Sequence, residues 1–173
     1  MNDNYDLNNL RCKPKRKNSR TKGNVFERSV AKILNNRFKT SEFSRSPGSG
    51  AFATTHTLPE HLKIYGDLIT PNKFKFCIEC KKGYKNQNLY SLYNYSSDIW
   101  KFIDQCEKDA KKCDRVPMVI FKQDRQPTLV ITPMGLLTGN HELKYIDIHK
   151  NKSYRVYLFK ELIECWRPMW FDS

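Results

Sequence analysis

"GDLITPNKFKFCIECKKG", residues 66–83, decides how the rest of the chain is read. Apolar and polar residues alternate from Lys73 to Lys81, which predicts a β-strand. The run YGDLIT, 65–70, predicts a shorter strand before it, with Asp67 set among apolar residues. Between them TPNK, with Pro71 and Asn72, predicts a hairpin turn. Successive side chains of a strand point to opposite faces. Cys77, Glu79 and Lys81 therefore share one face, and Ile78 and Cys80 share the other. The C-x-x-C spacing of Cys77 and Cys80 suggests zinc or redox chemistry, but a regular strand turns the two thiols apart. Zinc pairs of that spacing sit on a knuckle turn, and redox pairs open a helix. No second C-x-x-C accompanies them, and His56 and His61 lie outside any H-E-x-x-H pattern. The side chain of Cys80 is assigned to the core.

Glu79 and Lys81 carry a different chemistry. A hard divalent cation prefers carboxylate oxygens, which Glu79 and Asp67 supply from neighbouring strands. The main-chain carbonyl of Cys80 offers one more ligand. Lys81 stands beside them, able to orient or activate a water and to offset charge developing on a phosphate. These are the parts that phosphodiester hydrolysis needs.

The composition fits a nucleic-acid enzyme. The chain has 173 residues, 39% hydrophobic and 13% aromatic, enough for one globular domain with a core. Its formal charge of +13 favours a polyanionic partner. No apolar run approaches the roughly 20 residues that span a bilayer, and no basic amphipathic membrane helix is evident. Nucleic acid is thus the expected partner, and no membrane is. The N-terminus MNDNYDLNNL has no apolar signal core. The expected compartment is intracellular, so the six cysteines are read as thiols.

Residues 1–21 read as a flexible basic arm in which Arg11, Lys13, Lys15, Arg16, Lys17 and Arg20 crowd around Pro14. Such an arm either tracks phosphates or acts as a nuclear-targeting patch, and composition does not separate the two. The localisation is accordingly cytoplasmic, or nuclear if the arm is a signal. Phe26, Val30, Ile33, Leu34 and Phe38 then recur at helical spacing and predict a helix over about 23–38. Glu27 falls between Leu34 and Phe38 on the flank of that stripe, while Arg28 points away. A carboxylate there needs a cation, a metal or hydrogen bonds. Phe43 to Arg45 ends a short strand, and Pro47, Gly48 and Gly50 force a loop. The Tyr-rich segment 81–97 either stacks on bases or packs on the body. Ile99, Ile103, Cys106, Ala110 and Cys113 mark a second helix, and VPMVIF (116–121) with TLVITP (128–133) predict a hairpin. The remainder, with its strand-like YRVYLF and aromatic end CWRPMWF, is either an extra layer or a dimer surface. Together these elements give one α/β domain around a mixed sheet.

At this point the residues resemble the PD-(D/E)xK nuclease superfamily, and within it the archaeal-type Holliday junction resolvases that phages also encode. KGNVFERSVAKIL (22–34) is similar to that family's opening helix with its K-G-x-x-x-E-R signature. The likeness continues through FSRSPGSGAF (43–52), GDLIT, CIECKKG, the helix holding Gln105 and PMVIF, ending near 132. It implies a restriction-endonuclease-like fold, a mixed central β-sheet flanked by helices, over 22–132, with 133–173 as a C-terminal extension on the core or dimer interface. The family's catalytic carboxylates fall on Asp67 and Glu79, its lysine on Lys81 and its helical glutamate on Glu27. Arg28, Arg45, Ser46, Ser49 and Lys82 fall among the DNA contacts, alongside the basic arm. The resemblance implies a Mg2+-dependent homodimer, with Mn2+ as a substitute, that cuts two opposed strands of a four-way junction. The residue before the aspartate is Gly66 where the family usually has proline. Two alternatives stand beside this reading: another PD-(D/E)xK nuclease acting on branched or linear DNA, and a basic nucleic-acid-binding protein without catalysis.

Overall fold

The computed structural model describes residues 18–47, 64–84, 86–87, 89–93, 96–133, 144–148, 152–164 and 169–172. Of the expected site and arm residues, Arg11, Lys13, Lys15, Arg16, Lys17, Ser49, His56 and His61 lie outside them.

Helix α1 runs Ser19–Phe38, four residues longer at its start than the apolar stripe suggests. Asn18 is the reason. Its side chain accepts from the Arg20 N–H at 3.1 Å and caps the helix. Arg20 therefore sits in a helical first turn, not in a flexible arm. The buried face is Phe26, Glu27, Val30, Ala31, Leu34 and Phe38. Ile33, expected in the stripe, is 41% exposed. Ala31 shifts the buried arc around the helix, so Glu27 lies inside that arc, not on its flank.

After α1, Asn35 holds the next segment. Its amide donates to the Phe43 carbonyl at 2.8 Å and accepts from the Phe43 N–H at 2.9 Å. Strand β1, Ser44–Arg45, then pairs antiparallel with β2, Leu68–Ile69. The expected hairpin ladder between β2 and the following strand does not form. The TPNK turn is present, with the Phe74 N–H on the Pro71 carbonyl at 3.0 Å, but β2 takes β1 as its partner.

The main sheet has the order β3-β4-β5-β7-β6. Strand β3, Phe76–Lys82, lies parallel to β4, Val116–Lys122, and helix α2, Asp98–Lys112, makes the crossover. Strand β5, Thr128–Pro133, returns antiparallel as the expected hairpin. The chain then adds β6, Lys144–Ile148, and β7, Lys152–Leu158, both antiparallel to their neighbours. The sheet is mixed, as the α/β reading required. The resemblance stops near 132, but the sheet does not: β7 is an inner strand beside β5.

Two apolar layers follow from strand alternation. On one face α1 packs on Ile78, Cys80, Met118, Ile120, Val130 and Tyr157. On the other α2 packs through Ile99, Ile103 and Cys106 on Val119, Ile131 and Val156. Helix α3, Phe159–Leu162, joins the α1 layer. No helix among the described residues is long and apolar enough to cross a membrane.

Trp170 is fully buried in the α1 layer, its ring centroid 5.6 Å from Phe38 and 5.7 Å from Phe76. Trp170→Ala is expected to cost about 3–5 kcal/mol, read as a lower urea midpoint. A loss near zero would show that the C-terminal segment lies outside the cooperative unit.

Candidate active site

The site is built on the edge of β3 that does not face β4. Asp67 approaches that edge and is held by main-chain groups. Its N–H donates to the Ile78 carbonyl at 2.8 Å, and its Oδ2 accepts from the Cys80 N–H at 2.8 Å. In an extended strand the N–H and C=O of one residue point to the same side. The Cys80 carbonyl therefore faces the Asp67 edge as well.

Gly66 makes this approach possible. Its φ is +76°, and a Cβ there would stand 2.7 Å from the Ile78 oxygen and 3.0 Å from the Cys77 sulfur. Proline, locked near −65°, has no access to that conformation. The departure from the family's usual proline thus has a backbone cause. Ser46 braces the same turn: its N–H donates to the Asp67 carbonyl at 2.9 Å and its Oγ to the Gly66 carbonyl at 3.0 Å.

Glu79 and Lys81 stand together on the α2 side of β3, joined as an ion pair. The Lys81 ammonium also lies 5.5 Å from the Phe102 ring centroid. Glu27 reaches the edge from α1, on the opposite side of the sheet, and its Oε2 is 2.6 Å from Arg45 Nε. All three carboxylates are buried: Glu27 6%, Asp67 7% and Glu79 5% exposed.

Burial, then the charge of Asp67, holds Glu27 above the usual carboxylate range, while Arg45 acts in the opposite direction. The same two causes push Glu79 up to about 7, against the pull of Lys81. Burial alone would lower Lys81, but the charge and hydrogen bond of Glu79 outweigh it and raise the ammonium above its ordinary value.

The structure brings Glu27, Arg45, Asp67, Glu79, Cys80 and Lys81 to one edge. It leaves Arg28 exposed on α1, away from the carboxylates. Ser46, expected among the DNA contacts, is 2% exposed and its hydroxyl is engaged with Gly66, so its part is positional. Lys82 lies on the α1 side, 5.9 Å from the Phe26 ring centroid. Gln105 is exposed on α2 and donates to Asp109. In the Tyr-rich segment Tyr84 packs on the body, against Phe102 at 4.7 Å, while Tyr90 is 80% exposed.

The cysteines diverge as strand geometry requires. Cys80 points into the α1 layer, while the Cys77 backbone meets Cys106 of α2 at 3.4 Å. The Cys77 thiol is raised, first by its hydrogen bond with Cys106, and Cys80 by burial. Both therefore rest as thiols in the metal-free protein, and thiol-based redox chemistry needs a thiolate. Sequence reasoning missed the pairing of Arg45 with Glu27 and the ring of Phe102 under Lys81. Phe102 flanks Ile103 of the α2 stripe, which was its available signal.

Residues 18–170 match the family described as "Phage putative PDDEXK endonuclease". The chain belongs to that family. Its members are PD-(D/E)xK nucleases, whose superfamily generally uses divalent metals. Protein D14 of Escherichia phage T5 is 36% identical over 118 residues, covering 65% of this chain and 69% of that protein. No solved structure gives a significant match.

Among the described residues, no three Asp, Glu, His or Cys side chains converge closely enough to hold a metal ion by themselves. The donor chemistry nevertheless fits a hard cation. Asp67 and Glu79 offer buried oxygens whose mutual repulsion is already expressed in Glu79. Such ions are commonly held by one or two carboxylates, with water in the remaining positions.

A carboxyl raised from 4.5 to about 7 favours the folded state when neutral. In the metal-free protein this contribution is present below the unfolded value and is lost as pH rises towards 7. The loss is about 3 kcal/mol. Glu79→Gln, which stays neutral, should therefore melt several degrees above wild type at pH 8 in EDTA, and close to it at pH 4. Equal melting at both pH values would contradict the assigned burial cost.

Proposed function

We propose that this nuclease is a divalent-metal-dependent DNA endonuclease that resolves four-way junctions as a homodimer. The observation that carries the chemistry is the meeting of Asp67, Glu79 and Lys81 at the open edge of β3. The junction substrate and paired cutting rest on the resemblance of residues 22–132 to the resolvases.

Asp67, Glu79 and the Cys80 carbonyl would hold Mg2+, or Mn2+ in its place, with Glu27 completing the ligand or water network from α1. Once bound, such an ion supplies Lewis acidity at the scissile phosphate and a more acidic water. The chain's own groups do the rest. Glu79 is more readily ionised when a cation shares its charge, which loosens its hold on Lys81. Lys81, an ammonium in this environment, then orients the attacking water and offsets charge on the phosphate. Phe102 limits where that ammonium can go. Arg45 balances Glu27 in the resting site and is positioned to meet a phosphate. Arg28, Lys82, Ser49, Arg20 and the arm residues Arg11, Lys13, Lys15, Arg16 and Lys17 supply further DNA contacts in this reading.

A second reading, another PD-(D/E)xK nuclease on branched or linear DNA, draws support from β6, β7 and α3. These elements complete the sheet yet lie outside the stretch that resembles the resolvases.

One assay separates the readings. Purified protein is incubated with Mg2+ and a labelled four-way junction, next to matched flap, duplex and single-stranded DNA. Symmetric paired cuts at the crossover are the expected result. Cutting of flap or duplex in preference to the junction would favour the second reading. Absence of cutting on every substrate would reject both. Lys81→Ala is expected to lower cutting by at least a hundredfold while DNA binding persists. Equal rates for variant and wild type would remove Lys81 from the chemistry.

A further inference from the structure

The ends of β3 and β4 set two lysines side by side on the α1 face of the sheet. Lys82 and Lys122 are register partners in the parallel pair, one strand spacing of about 4.8 Å apart. Lys122 in turn stands opposite Thr128 of β5. All three are half-buried. They form the polar edge of a groove of about 270 Å³ whose wall includes Val25, Phe26 and Ile33.

Like charges placed directly across neighbouring strands repel. Among the described residues, neither lysine has an ion-pair partner. The wall opposite them is apolar and open, with Val25 52% and Ile33 41% exposed. This combination, two ammonium groups facing an exposed aliphatic surface, suits a sugar–phosphate chain. The phosphate meets the lysines and the Thr128 hydroxyl, while the sugar lies on Val25 and Ile33. DNA is favoured over an acidic protein segment because the groove shares the α1 face with Glu27, which follows Phe26 on α1, so a strand engaged at the site has this groove on its Glu27 side. Glu79 and Lys81 themselves point to the other face of β3.

We propose that Lys82, Lys122 and Thr128 form a backbone-phosphate subsite that holds the DNA on the α1 face, on the Glu27 side of the site and across β3 from Glu79 and Lys81. The subsite rests on the reading that DNA is the substrate. It places the DNA path across the C-terminal ends of β3 and β4, on the α1 side.

The test is DNA binding by the full chain, read as fluorescence anisotropy of a labelled four-way junction and a labelled duplex. It is run in EDTA and in Ca2+ at a series of salt concentrations. Each phosphate contact adds about 0.9 to the slope of log affinity against log salt. Lys122→Gln should therefore reduce the slope by about one and weaken binding at all sequences. Lys122→Arg keeps the charge and should keep the slope. Lys108→Gln, on exposed α2 on the other face, removes the same net charge and should leave the slope as in wild type. Melting curves establish that each variant is folded. The subsite is overturned if Lys122→Gln changes the slope no more than Lys108→Gln, or if Lys122→Arg loses as much as Lys122→Gln. Wild-type protein that binds neither DNA in either condition overturns the DNA reading and the subsite with it. Binding with an unchanged Lys122→Gln slope overturns the subsite alone.

Discussion

The rest of the site depends on how Asp67 is tied to the edge of β3. A strand edge exposes unpaired N–H and C=O groups. Here one residue satisfies two of them, its N–H serving the Ile78 carbonyl and its carboxylate serving the Cys80 N–H. The aspartate thereby closes the edge locally and is itself fixed against the strand that carries Glu79 and Lys81. The hold extends outward through short links. Ser46 grips the peptide units around Asp67, β1 leads directly into Ser46, and Asn35 fastens the Phe43 end of that segment to α1. A helix on one face of the sheet is thus registered against a carboxylate at its edge without a long strand ladder between them.

That arrangement explains the electrostatics. Glu27 and Glu79 lie on opposite faces of the sheet, and Asp67 lies at the edge between them. Its charge is the next cause after burial for raising both. Each outer carboxylate has its own cation, Arg45 on the α1 side and Lys81 on the α2 side. The charge of Lys81 also reaches Glu27, more weakly than that of Arg45. Neither ion pair cancels the burial cost, since both glutamates remain raised. The site is therefore electrostatically incomplete in a way that added positive charge would relieve.

Much of this was legible in the sequence, and the parts that were not share a physical cause. The alternation through Phe76–Lys82 separated Cys80 from Glu79 and Lys81, and the β4–β5 hairpin followed from two β-rich runs around a polar turn. Period alone placed Glu27 only on the flank of the α1 stripe. It could not show that Ala31 extends the buried arc while Ile33 leaves it, because a small residue gives a weak apolar signal. Nor could it show that β2 prefers β1: a turn such as TPNK reports a change of direction, not the partner of the strand before it. Gly66 looked like a departure from a motif, and only its left-handed φ with the nearby Ile78 oxygen turned it into a requirement.

The alternating run also began too early, at Lys73, whereas β3 begins at Phe76. The reason lies at the far end of the chain. The Lys75 N–H donates to the Trp170 carbonyl, and the Asp172 N–H donates to the Lys73 carbonyl, at 2.9 and 2.8 Å. Phe74 and Phe171 form a bridge between the same segments. On the other side the Val116 N–H takes the Lys75 carbonyl at 2.8 Å. Residues 73–75 therefore stay outside the β3 ladder: Lys73 belongs to the turn, and the hydrogen bonds of the segment go to the C-terminal residues and to the start of β4. The side chains of Phe74 and Trp170 stack at 6.0 Å over this junction. The lead into β3 is thus clamped by residues almost a hundred positions later in sequence. The C-terminal segment, which carries none of the proposed chemistry, fixes the point from which β3 delivers Glu79 and Lys81 to Asp67.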